Sequence, residues 1–119
     1  MTVTRMYPRL VVSDARAAMA FYEKAFGAGV GEVFTDNSGK VVHAEVSFGS
    51  AGVIGVKDQG DGDEPVSVIM ALEVADPDGV AAAMEAGGAT VIYPIDDHEY
   101  GRGGRLRDPW GIQWMLMRP

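Results

Sequence analysis

The chain has 119 residues, 47% hydrophobic and 23% charged, which suits one folded domain and excludes a disordered chain. It has no cysteine, so disulfides, thiolate zinc sites and thiol nucleophiles are excluded, and a reducing cytoplasm is the expected compartment. The net charge of −7 with no basic stripe excludes nucleic acid as a partner and favours a cationic ligand over an anionic one. No stretch reaches the roughly 20 apolar residues of a membrane span, and residues 1–5 do not read as a signal peptide.

In chain order, Val3 to Val12 reads as a strand, because it alternates and then runs apolar. Ser13 and Asp14 offer N-caps for a helix over Ala15 to Ala28. Ala18, Tyr22, Ala25 and Phe26 recur there at helical spacing and are expected to face a sheet. Gly27 and Gly29 end the helix. Three strands are expected next. The first is Gly31 to Asp36, closed by the turn Asp36-Asn37-Ser38-Gly39. The second is Lys40 to Phe48, with Val42, Ala44 and Val46 on one face and His43, Glu45 and Ser47 on the other. The third is Gly52 to Lys57. Residues 58–65 are acidic, glycine-rich and proline-ended, and read as a linker. Asp58, Asp61, Asp63 and Glu64 cluster there, without the spacing of a calcium loop.

Val66 to Val74 begins a second series. Asp76 caps a helix with Pro77 at its first position, running to Glu85 or Ala86, and Gly87-Gly88 stop it. Thr90 to Ile95 is a strand, Asp96 to Gly101 a polar loop, and Arg102 to Arg107 a strand. Asp108-Pro109-Trp110-Gly111 is a turn, and Ile112 to Met117 the last strand. Trp114 shares parity with Ile112 and Leu116, which predicts core. Gln113, Met115 and Met117 then line the opposite face. The order is strand, helix, three strands, twice over. Leu10-Val11-Val12-Ser13-Asp14 lines up with Leu72-Glu73-Val74-Ala75-Asp76 at an offset of 62 residues, which marks a duplication.

Three segments carry a resemblance to a known family. They are Leu10–Asp14 with the helix end Phe21-Tyr22-Glu23-Lys24-Ala25-Phe26-Gly27, then His43-Ala44-Glu45, then Tyr100-Gly101-Arg102 through Asp108-Pro109-Trp110-Gly111 to Trp114. Together they resemble the vicinal oxygen chelate superfamily of glyoxalases, bleomycin-resistance proteins and dioxygenases. The resemblance implies an α+β fold: one domain of two βαβββ modules, about 3–58 and 66–118, with curled mixed sheets around a concave cavity and helices outside. It also implies a homodimer.

Enzymes of that family hold a divalent metal with His or Glu ligands from four strands. The matching positions here are Tyr7, Gly55, Ile69 and Met115, a set that cannot hold a hard ion. No metal and no cofactor are therefore expected. His43 and Glu45 share a strand face and could act as an acid/base pair, or as two ligands completed by Asp97 or His98. Arg102 and Arg105 could clamp an anion, with Arg102 matching the family's loop motif. Phe34, Tyr93, Tyr100 and Trp110 lie on strands or loops, where an aromatic ring can stack on a planar ligand. The expected ligand site is thus Tyr7, Phe34, His43, Glu45, Ile69, Tyr93, Tyr100, Arg102, Trp110, Gln113 and Met115, with no catalytic residue assigned. The expected function is metal-free sequestration of an aromatic or apolar small molecule such as an antibiotic, like the bleomycin-resistance branch. The alternative is an enzyme of the same superfamily, a lyase, isomerase or dioxygenase, using a rearranged metal site or His43 and Glu45.

Overall fold

The computed structural model describes residues 2–119. They divide into two compact units, residues 2–65 and 66–119. The first holds β1 (Arg9–Val12), α1 (Ala15–Phe26), β2 (Gly29–Thr35), β3 (Val41–Ser47) and β4 (Val53–Asp58). The second holds β5 (Ile69–Glu73), α2 (Pro77–Ala86), β6 (Thr90–His98), β7 (Gly101–Arg107) and β8 (Gln113–Met117). The sheet orders are β1-β4-β3-β2 and β5-β8-β7-β6. In each, the outer pair (β1 with β4, β5 with β8) is parallel and the rest antiparallel. The α+β duplication is therefore present at the level of topology as well as sequence. No helix is long and apolar enough to cross a membrane.

Capping fixes where the helices start. The Asp14 carboxylate accepts from the Ala17 N–H, and Asp76 from the Gly79 N–H, each satisfying a donor that the first turn leaves unpaired. Gly27 ends α1 in the left-handed region at φ 67°, so the helix stops at Phe26 and not at Ala28. In the first unit Ala18, Tyr22 and Ala25 of α1 are buried, as are Leu10, Val12, Ala44, Val46, Ile54 and Val56 of the sheet. In the second unit Met84 of α2 is buried, with Leu106, Trp114 and Leu116 of the sheet. Each sheet thus buries one face and leaves the other for side chains of opposite parity.

Three details depart from the sequence reading. The strand β1 starts at Arg9, since residues 3–7 form no ladder, although the Pro8 carbonyl still accepts from the Gly55 N–H at 2.8 Å. Val41, not Val42, is fully buried beside Ala44, because the β2–β3 register shifts between Phe34 and Thr35 and a bulge resets the parity. Residues 96–98 extend β6 instead of forming a loop, and His98 pairs with Gly101 across a tight turn. Segment 58–65 belongs to the first unit. Asp58 ends β4 and accepts from the Ala15 and Val41 N–H groups at 2.7 and 2.8 Å. Asp63 binds the buried Lys57 ammonium at 2.6 Å.

Candidate functional site

Four of the expected site residues gather in the first unit, on the sheet face away from α1. His43 and Glu45 project from β3 with a 3.4 Å contact between Nε2 and Oε2. Phe34 on β2 lies beside His43 at 6.4 Å between ring centroids. The Tyr7 ring passes over β4 at Gly55, where a Cβ would come within 3.3 Å of both the Tyr7 ring and the Arg9 side chain. Arg5, absent from the sequence-derived set, completes the group. Its guanidinium grips Glu45 with two hydrogen bonds of 2.6 and 3.1 Å and stacks on Tyr7 at 4.5 Å.

Chiefly through the Arg5 hydrogen bonds, and secondarily through His43, the Glu45 carboxyl is lowered from its ordinary 4.5 to about 2. A carboxylate held so far down is ionised at neutral pH. It cannot donate a proton there and is a weak base. Glu45, one member of the pair read from the sequence, is thus engaged in an ion pair with Arg5.

The second unit is different in character. Its face away from α2 carries Gln113, Met115 and Met117 of β8, Arg105 of β7, Tyr93 of β6 and Ile69 of β5. The ladder sets this: Ile69 stands opposite Gln113, while Arg105 stands between Met115 and Tyr93. A cavity of about 270 Å³ opens here, bounded by Tyr93, His98, Tyr100, Arg105, Met115 and Met117. Tyr93 and Tyr100 are 59% and 65% exposed, leaving aromatic surface open at the cavity. The His98 and Tyr100 rings already stack, with centroids 4.9 Å apart and planes 7° from parallel. Gly104 lets the wall form, because a Cβ there would lie 2.6 Å from the Tyr93 carbonyl oxygen.

Two expected site residues lie elsewhere. Arg102 has the parity of Leu106 and Leu116 and reaches the helix side of the sheet. Asp78 at the start of α2 holds it with two 2.8 Å hydrogen bonds, and Asp97 with one of 3.0 Å. In return the guanidinium keeps Asp78 below the usual carboxylate range. Arg102 is a tie between helix and hairpin. Trp110 sits half-buried in the β7–β8 turn. That turn is built around Asp108, a carboxylate only 3% exposed. Asp108 accepts from the Trp110 and Ile112 N–H groups and from the Trp114 indole at 2.9–3.0 Å. Asp108 of the Asp-Pro-Trp-Gly signature thus holds the turn together. The cavity's cation is instead Arg105, which the parity of β7 against Met115 marks out once the register is known.

A divalent metal has no donors at the family's positions. Tyr7 is a neutral phenol, Gly55 has no side chain and is covered by Tyr7, Ile69 is apolar, and the Met115 thioether is too soft for a hard ion. His43 and Glu45 supply two donors, but Arg5 already occupies the carboxylate. Among the described residues no three His, Cys, Asp or Glu side chains converge. The residues do not fit the metal.

Comparison with known proteins agrees with the fold. An uncharacterized protein of Mycobacterium bovis is 35% identical over 94% of this chain and 81% of its own length. The crystal structure of TioX from Micromonospora sp. ML1 superposes with a TM-score of 0.75 at 24% identity, covering 98% of each chain. That of the fosfomycin resistance protein FosX from Mesorhizobium loti gives 0.68 at 16% identity, covering 100% of this chain and 94% of FosX. The sequence profile of the Glyoxalase/Bleomycin resistance protein/Dioxygenase superfamily matches residues 4–116. The chain belongs to that superfamily.

Proposed function

We propose that the protein is a metal-independent binding protein that sequesters a small planar aromatic molecule in the cavity of its second unit. The observation that carries this is the lining: two largely exposed tyrosines, one of them stacked on His98, and two flexible thioethers around one cavity. Aromatic faces recognise planar ligands, and methionine adapts to irregular ones. At about 270 Å³ the cavity lies just below the roughly 300–1,000 Å³ of drug-sized sites. It suits a bicyclic ring, or one ring system of a larger antibiotic. The fold is also that of a fosfomycin resistance protein, which accords with a resistance or natural-product accessory role. Glu45, lowered to about 2 and clamped by Arg5, argues against acid/base catalysis by His43 and Glu45.

The reading includes a homodimer in the cytoplasm. Light scattering should return twice the chain mass, and a monomer at all concentrations would remove that part. The ligand itself is tested by thermal melting against a panel of aromatic compounds in the presence of EDTA. A ligand at about 100 times its Kd adds about 2.7 kcal/mol, or roughly 10 °C for a domain of this size. A broad panel without any shift, or a shift that needs a divalent ion, would sink the reading.

A further inference from the structure

The geometry points to a ligand that carries an anionic group on its aromatic ring, a carboxylate held by Arg105. This rests on the binding reading above and names the class of ligand. Among the described residues, Arg105 is the arginine whose place in the fold asks for an acceptor and lacks one. Arg5 has Glu45, Arg102 has Asp78 and Asp97, and Arg9 donates to the Val42 carbonyl at 2.6 Å. Arg105 has no carboxylate partner. Its Nε is buried and meets no acceptor among the described residues, and one terminal nitrogen reaches Gln113 Oε1 only at 3.4 Å.

A buried donor left unpaired is costly. The chain has 17 acidic residues, so carboxylates are abundant, yet none is directed at Arg105. The same guanidinium lies 5.5 Å over the Tyr93 ring, at the cavity wall. A small rotation about that long 3.4 Å contact presents Nε and a terminal nitrogen together. A carboxylate matches that fork with two parallel hydrogen bonds. Its ring then lies against Tyr93 or Tyr100, with Met115 and Met117 beneath. The local preference is opposite to that suggested by the overall charge of −7. Long-range potential governs encounter, and the guanidinium governs the bound state.

The test uses matched probes, naphthalene-2-carboxylate and its neutral amide, and anthracene-9-carboxylate and its amide. Each is titrated by calorimetry into the wild type, Arg105→Gln and Arg105→Lys. The wild type should prefer acid over amide by on the order of tenfold or more, as expected for a charge-assisted pair. Arg105→Gln should abolish that preference by weakening the acid and leaving the amide within about twofold. Arg105→Lys should keep a reduced preference, and it answers the question if the glutamine variant does not fold. Equal affinity for acid and amide, or an unchanged preference in both variants, overturns the carboxylate while leaving an aromatic site. Binding of none of the four probes removes the site and the carboxylate together.

Discussion

At the scale of single residues, two arginines three positions apart have opposite fates. Arg102 matches a family motif and is consumed by Asp78 and Asp97, while Arg105 matches none and lines the cavity. Sequence shows that both are present but not which face each takes, since that depends on the β7–β8 register. Exposed ion pairs contribute little, so Arg102→Ala should lower stability only slightly and leave ligand affinity unchanged. Denaturant titration and calorimetry check both parts. Glu45 makes a pH prediction. Its carboxyl is depressed in the folded state, so its ion pair contributes fully above the ordinary value of 4.5 and is lost as pH falls toward about 2. Melting curves of the wild type and Glu45→Gln should differ at pH 7 and draw together as pH falls from 4.5, meeting only near about 2. A gap that stays constant down to the lowest pH would show that Arg5 does not hold the carboxylate. Asp108 is the structural counterpart. With three buried or half-buried donors on one carboxylate, Asp108→Ala should cost roughly 2–4 kcal/mol in urea unfolding, and a loss under 1 would contradict the geometry.

At the scale of elements, the sequence was most legible where the apolar pattern is long. Both helices, their aspartate caps and the parity of Ile112, Trp114 and Leu116 follow from spacing alone. It was least legible at the β6–β7 hairpin. Asp96, Asp97 and His98 are polar and exposed, so nothing in their pattern distinguishes the end of an edge strand from a loop. Pro94 adds to this. It has no N–H to donate, and the register shifts between Tyr93 and Asp96 where it sits. The bulge brings the Tyr93 carbonyl against Gly104. Gly104→Ala should therefore destabilise by about 1–3 kcal/mol, with the cavity wall displaced. Gly52→Ala is the control, since a Cβ at Gly52 meets nothing within 4 Å and should change melting little. Equal effects for the two would show that the close approach at Gly104 is not real.

At the scale of the whole molecule, the duplicated topology was readable from the offset of Leu10 and Leu72, and the family from motifs spread over both halves. What could not be read is that the two sheet faces turned away from their helices have diverged. In the first unit the face is a charged network whose key contact, Arg5 with Glu45, joins residues 40 apart in sequence. In the second it is an aromatic and thioether cavity with an unpaired arginine. A list of candidate residues puts Tyr7, His43, Tyr93 and Met115 side by side, whereas the contacts sort them into two groups with different chemistry. The central claim is that the second group binds an aromatic ligand without metal. Its most direct test is the methyl spectrum of methionine-labelled protein, titrated with naphthalene-2-carboxylate in EDTA. Met19 and Met84, only 3% and 0% exposed, serve as internal references. The account predicts that the Met115 and Met117 methyls shift together and saturably while Met19 and Met84 stay in place. Shifts that appear only after a divalent ion is added, or that leave Met115 and Met117 unmoved, would contradict it.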